Sequence, residues 1–239
     1  MAAAKAFYSA VLGWELEDQG DQYGNYHMAR RQGADAAGVA PPMGEGQPSV
    51  WTLYFASDDA AATARAIAAN GGQVVMDVMA VPEDASFGRM VIAADPTGAM
   101  FGVWEATGNI GVSLHNAPGG LAWEDLRSPD PVAAREFYDA VFGFTHAEVD
   151  GIPPGADYKT FAKGGPPLGG MGDMMGMKDV PPHWAVYFGV ENVDAALQDA
   201  AANGGTILSP GFDTPYGRMG CLNDPAGATF WVVERPDAP

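Results

Sequence analysis

The stretch "AAAKAFYSAVLGW" (2–14) returns as "VAAREFYDAVFGF" (132–144), with seven of thirteen positions identical. Each copy has the period of an amphipathic helix. In the first, Phe7, Val11 and Trp14 fall at i, i+4 and i+7, with Ala3 and Ala10 on the same stripe. Other matches follow in the same order. "WTLYF" (51–55) pairs with "WAVYF" (184–188), "AANGG" (68–72) with "AANGG" (201–205), and "GRM" (88–90) with 217–219. "DPTGAMFGVWE" (95–105) pairs with "DPAGATFWVVE" (224–234). A series kept in order is a tandem duplication, and the repeat fixes the architecture before any single element does. It divides the chain into a first domain at 1–107, a linker at 108–120 and a second domain at 121–236.

The second copy also shows what precedes the helix. In "GLAWEDLRSPDPVAAREFY", residues 121–127 suit a strand, "SPDP" a turn, and Ser128 or Asp130 a helix cap. The first copy has Met1 where the second has Pro131, so the expectation is a first strand lost from a truncated start. Three short strands follow each helix, near 14–19, 23–30 and 36–40, or near 144–149, 157–163 and 168–172. Then come a strand at 49–56 or 183–190, and a helix near 58–70 or 192–203 that ends at "NGG", a C-cap signal. Three more strands close each copy. The fold class is α+β, built from four βαβββ modules, with the first strand of the first module missing.

Composition narrows the function. A hydrophobic fraction of 47% with 10% aromatics belongs to a globular chain. No apolar run reaches the roughly 18–20 residues of a membrane span, and the start lacks the pattern of a signal peptide, so a cytoplasmic protein is expected. A net charge of −18 argues against nucleic acid. Cys221, the single cysteine, allows neither an intrachain disulfide nor a cysteine-based zinc site, and its apolar surroundings suit an inert thiol.

The pattern "AAxxFYxxVxGW", strand, helix, "NGG", then "GRM" and "DPxGAxFxVxE", resembles the vicinal oxygen chelate superfamily. That group includes glyoxalase I, extradiol dioxygenases and the fosfomycin- and bleomycin-resistance proteins. The double length is similar to a tandem-domain actinobacterial type. The resemblance implies two glyoxalase-like domains with curved, mostly antiparallel sheets and helices on the convex face. Strand alternation agrees with it. Trp184, Val186 and Phe188 suit a helix-packed core, while His183, Ala185 and Tyr187 face the cleft. In the first copy Trp51, Leu53 and Phe55 pack, and Thr52 and Tyr54 face inward.

The resemblance also implies a divalent metal held by His and Glu on four strands of the concave face. Those positions here are Trp123 on the first strand, Gly38 and Gly170 on the fourth, Thr52 and Ala185 before the second helix, and Gly102 and Trp231 on the last. None is a donor of the kind such a metal takes. Glu105 and Glu234 end the last strands but have the opposite parity. Asp125 and His183 share the parity, so a displaced site for Fe, Mn, Ni or Zn is the alternative to having no cofactor.

The remaining candidates are ligand contacts. Trp123, Trp231, Tyr54 and Tyr187 suit flat apolar ligands or simple core filling. Arg89 and Arg218, in the repeated "GRM", suit either an anionic ligand or a hairpin ion pair. The methionines 171, 174, 175 and 177 suit an adaptable pocket or gap filling. The expectation is therefore a protein that binds a small aromatic or oxo-acid-like molecule without metal. Its ligand contacts are Trp123, Asp125, Trp231, His183, Tyr187, Thr52, Tyr54, Arg89 and Arg218. The alternatives are a metal-dependent lyase, isomerase or dioxygenase, and a purely structural role. Expected partners are a small-molecule ligand and, at most, a second copy of the chain, with neither nucleic acid nor membrane.

Overall fold

A computed structural model describes residues 1–42, 44 and 46–234. Met43 and Glu45 of the Gly-rich run 41–48, and residues 235–236 of the second sequence domain, lie outside the described residues.

The first module supplies α1 (Ala2–Leu12), β1 (Glu15–Asp18), β2 (His27–Arg31) and β3 (Ala34–Val39). The second supplies β4 (Tyr54–Ala56), α2 (Ala60–Ala69), β5 (Gln73–Val81), β6 (Gly88–Ala94) and β7 (Met100–Ala106). The third has β8 (Leu121–Arg127), α3 (Pro131–Phe142), β9 (Thr145–Glu148), β10 (Tyr158–Ala162) and β11 (Gly169–Gly172). The fourth has β12 (His183–Gly189), α4 (Val193–Ala202), β13 (Thr206–Thr214), β14 (Gly217–Asn223) and β15 (Thr229–Glu234). In each complete module the first strand lies parallel to the last: β4 to β7, β8 to β11, and β12 to β15. The ladders β1–β2, β2–β3, β5–β6, β6–β7, β9–β10, β10–β11, β13–β14 and β14–β15 are antiparallel. The strand orders are β1-β2-β3, β4-β7-β6-β5 and β13-β14-β15-β12-β8-β11-β10-β9.

Helix ends follow their local chemistry. Asp130 caps α3 by accepting the Ala133 N–H, with Pro131 at the first helical position, where its missing N–H is not needed. Asp59 and Asn192 cap α2 and α4 in the same way. Met1 gives α1 no side-chain cap. Glu105 and Glu234, at the ends of β7 and β15, accept the Ala60 and Val193 N–H groups. They serve the helix side, as their parity required.

β4 is shorter than the sequence suggests: 49–53 are not strand, whereas β12 runs for seven residues. β12 has neighbours on both edges and β4 has β7 alone among the described residues. One ladder fixes less backbone than two.

Two compact units emerge, and they do not follow the halves of the duplication. Unit 1 comprises Met1–Trp51, Gly111–Ala122 and Val186 onward; unit 2 comprises Thr52–Ile110 and Trp123–Ala185. The repeated motifs supply the reason. In unit 1 the Tyr8 hydroxyl of the first "FY" donates to Asp224 of the second "DP" at 2.8 Å. A Cβ on Gly205 of the second "NGG" would meet the Phe7 ring at 2.6 Å, so that glycine admits the first copy's helix. In unit 2 the Tyr138 hydroxyl donates to Asp95 at 3.3 Å, and a Cβ on Gly72 would meet Phe137 at 2.8 Å. Each motif is completed by the other copy.

The core of unit 1 gathers Phe7, Tyr8, Trp14, Phe188, Leu222 and Phe230, all buried. The stretch expected as a plain linker belongs to this unit from 111 onward. Ser113 and Leu114 donate to the Asp35 carbonyl, and the Gly119 carbonyl accepts the Trp14 indole N–H at 2.7 Å. The core of unit 2 is aromatic: Phe55, Phe101, Tyr138, Phe144, Phe161 and Trp184, with rings largely edge to face.

Candidate functional site

β8 carries "LAWEDLR". Ala122 and Leu126 are buried on one face, and the period of two puts Trp123, Asp125 and Arg127 on the other. β11 lies parallel beside it with Gly170 opposite Asp125, and β10 follows on the far side. Tyr158, the first residue of β10, reaches over Gly170 toward Asp125. The room exists because residue 170 is glycine: a Cβ there would collide with the Tyr158 hydroxyl.

The outcome in unit 2 is a hydrogen-bonded cluster. Asp125 is buried at 5% exposure, and its Oδ1 accepts the Tyr158 hydroxyl at 2.8 Å and the Trp123 indole N–H at 3.0 Å. Its Oδ2 accepts Arg127 Nη2 at 2.6 Å. The Trp123 N–H also lies 3.2 Å from the Tyr158 oxygen, and the guanidinium stands over the Tyr158 ring at 5.5 Å. These donors fix the orientation of the carboxylate without exposing it to water. Burial first, then the Asp125 charge and hydrogen bond, push the Tyr158 phenol well above its ordinary range. It is therefore a neutral donor at physiological pH. The cluster presents an indole edge, a phenol and a neutralised guanidinium to one face of the sheet.

Unit 1 holds a second aromatic group. Tyr187 stacks on Trp231, its register partner on β15, with centroids 5.4 Å apart and planes at 18°. Phe212 meets Trp231 edge-on at 6.2 Å and is 41% exposed. The Cys221 residue opposite Trp231 is buried, and its thiol is pushed up to about 11 by desolvation. It is a packing group and not a nucleophile at neutral pH.

The other candidates lie elsewhere. Arg89 pairs with its cross-strand neighbour Glu105, and Arg218 with Asp194 and Asp213. Both guanidiniums are thus engaged by carboxylates, Arg218 by one across its hairpin and one on α4. His183 Nδ1 is within 2.9 Å of the Pro181 carbonyl, a turn contact. Tyr54 is 41% exposed, its ring lies over Gly102, and Thr52 is half-buried in the segment leading to β4. Of the methionines, Met171 is fully buried while Met175 and Met177 are exposed. A crevice of about 530 Å³ in unit 2, lined by Val132, Arg135, Ile152, Pro153 and Asp157, adjoins only Tyr158 of the cluster.

The fold's implied metal does not fit these residues. Gly38, Gly102 and Gly170 each lie under a tyrosine ring, those of Tyr26, Tyr54 and Tyr158, so any larger side chain there would displace the ring. Tyr26 and Gly38 repeat the spacing of Tyr158 and Gly170, so both copies carry the arrangement. Asp125 spends both oxygens on the cluster. Among the described residues no three His, Cys, Asp or Glu side chains converge.

Sequence reasoning missed Tyr158 and Arg127. Arg127 was legible, since 123, 125 and 127 share one face of a strand. Tyr158 was not, because its role depends on β10 and β11 bringing a tyrosine over a glycine.

The family model of the Glyoxalase/Bleomycin resistance protein/Dioxygenase superfamily matches residues 1–103 and 120–232. The chain belongs to that superfamily and carries two of its domains. It is 39% identical over 239 residues to CFP32 of Mycobacterium tuberculosis, provisionally named a glyoxylase, covering 98% of this chain and 90% of that one. It is 35% identical over 249 residues to the anthracycline biosynthesis protein DnrV of Streptomyces peucetius, covering 98% and 89%. Among solved structures, the Mn(II)-bound glyoxalase from Novosphingobium aromaticivorans shares the fold with a TM-score of 0.66 at 18% identity, covering 99% of this chain and 78% of that one. No helix among the described residues is long and apolar enough to cross a membrane.

Proposed function

We propose that this chain binds a small aromatic or oxo-acid-like molecule, using organic side chains where the superfamily's fold implies a metal. The observation that carries the reading is Tyr158 lying over Gly170 and hydrogen-bonded to Asp125. With its proton given to Asp125, the Tyr158 oxygen beside the indole can still accept from a hydroxyl on a flat ring. The Tyr187–Trp231 stack in unit 1, with Phe212 exposed beside it, offers ring surface of the same kind. The likeness to an anthracycline biosynthesis protein supports the choice of ligand class, since anthracyclines are polycyclic aromatic ketones. The metal-dependent alternative would require Asp125 and His183 to find further donors, and Asp125 is already committed to three.

The test is a fluorescence titration of chelator-treated protein with hydroxyanthraquinones, simpler aromatic ketones and small oxoacids. The expected result is saturable tryptophan quenching by at least one flat aromatic carbonyl compound. Tyr158→Phe should weaken binding roughly tenfold, the worth of one hydrogen bond near 1.4 kcal/mol. No saturable response from any probe, or a response that appears only with added divalent metal, overturns the reading.

A further inference from the structure

The sheet β4-β7-β6-β5 of unit 2 has a second face that the aromatic core leaves unused. On β6 and β7, Val91, Ala93, Phe101 and Val103 are fully buried. Glu105 shares their parity and meets the start of α2, which marks the helix side. Met90 and Ile92, with Trp104 and Gly102 opposite them on β7, lie on the other side.

β5 brings two more methionines to that side. Met79 stands opposite Met90, and Met76 stands opposite Ile92. On a regular strand, residues three apart would face opposite ways. Here the register shifts between Met76 and Met79, so that two residues of β5 oppose one of β6. Such a bulge re-aims side chains, and this one turns both thioethers to a single face. Directly opposed Cβ atoms lie about 5 Å apart and diagonal neighbours about 7–8 Å, within reach of long side chains. Met76, Met79 and Met90 thus form a triangle of flexible thioethers on a rigid ladder. Met76 and Met90 are half-buried and Met79 is 40% exposed, so an ion can enter from water. The second copy has Ser209, Phe212 and Met219 at the same ladder positions, so the triad belongs to unit 2.

We infer that Met76, Met79 and Met90 are a binding site for Cu(I). Thioether sulfur is a soft, uncharged donor, whereas Mg, Ca and Mn take oxygen. A donor set without carboxylate or thiolate leaves a dication's charge uncompensated, and a monovalent soft ion costs less to hold. A thioether also has no proton to lose, so affinity here is independent of pH, unlike that of histidine or cysteine sites. Trp104, opposite Met90, gives its N–H to the Asn109 carbonyl at 2.7 Å and stands as a fixed reporter beside the triad. The site shares no residue with the Asp125 cluster or the Tyr187–Trp231 stack, so it stands apart from the ligand proposed above.

The experiment is an anaerobic titration with Cu(I), supplied as its acetonitrile complex against a bicinchoninate competitor. It uses protein labelled at the methionine methyls and carrying Cys221→Ser, which removes the chain's one thiol. One equivalent should bind, and the methyl resonances of Met76, Met79 and Met90 should shift together. Affinity should stay level between about pH 6 and pH 8. Met79→Leu and Met90→Leu, which keep the volume, should each weaken binding by roughly tenfold or more. Met100→Leu, on the same face but one row beyond Met76 and two strands away, should change nothing. The inference is wrong if no Cu(I) binds in competition, or if the shifts fall only on Met174, Met175 and Met177 of the exposed loop. Affinity unchanged in both Met79→Leu and Met90→Leu also overturns it. If a variant fails to fold, the wild-type methyl spectra decide: joint shifts of the three methyls uphold the site, and their absence rejects it.

Discussion

Asp125→Ala will lower the unfolding free energy by about 3–5 kcal/mol, the range for removing one partner of a buried ion pair. The carboxylate serves Tyr158, Trp123 and Arg127 together, and the alanine variant withdraws it from all of them. For a chain of this length each kcal/mol moves the melting point by roughly 2–4 °C, so thermal melts should fall by on the order of 6–20 °C. Asp125→Asn keeps an acceptor oxygen and should lose less. The double variant Asp125→Leu, Arg127→Leu removes both charges and should recover part of the loss, because a pair replaced together leaves no stranded ion. A melt unchanged in Asp125→Ala would mean that the cluster is open to water and contributes nothing to the fold.

Asp224→Ala should be equally damaging, for a different reason. Asp224 is buried, and its Oδ1 accepts the N–H groups of Ala226 and Ala228 at 2.8 and 2.9 Å, closing the "DPAG" turn. Its Oδ2 accepts Tyr8, which ties α1 into unit 1. Hydrogen bonds to a charged acceptor contribute about 1.5–3 kcal/mol each, so the loss of all of them should reach about 3–5 kcal/mol after relaxation. Hydrogen exchange should rise across α1, the element that loses its anchor. Tyr8→Phe leaves the turn intact and should show the same local pattern at about 1–3 kcal/mol. Exchange in α1 that matches the wild type in both variants would contradict the assignment.

Much of the fold was legible because its signals are local and repeated. The "FY" helix, the "NGG" stop and the "DP" turn each announce an element, and the alternation of "HWAVYF" orients β12 correctly. What stayed hidden depends on long-range partners. Tyr8 and Asp224 are 216 residues apart in sequence, so no pattern within one copy shows that each "FY" serves the other copy's "DP". β4 fell short because, among the described residues, it pairs with β7 alone. The candidate site was half legible. Period two puts Trp123 and Asp125 on one face of β8, and Trp231 meets Tyr187 through the register of β12 and β15. The sequence could mark Gly38, Gly102 and Gly170 as lacking ligands. It could not say that each lies under a tyrosine, since that needs the sheet.

The central claim is that tyrosines over glycines, with a carboxylate engaged through both oxygens by organic donors, replace the superfamily's metal. Elemental analysis of protein purified without chelator, on gel-filtered material supplied with Fe, Mn, Ni and Zn during growth, tests it most directly. The account predicts each metal at a small fraction of one equivalent per chain, with the Asp125→Asn variant indistinguishable from the wild type. A retained stoichiometric metal, lost in Asp125→Asn, would contradict it.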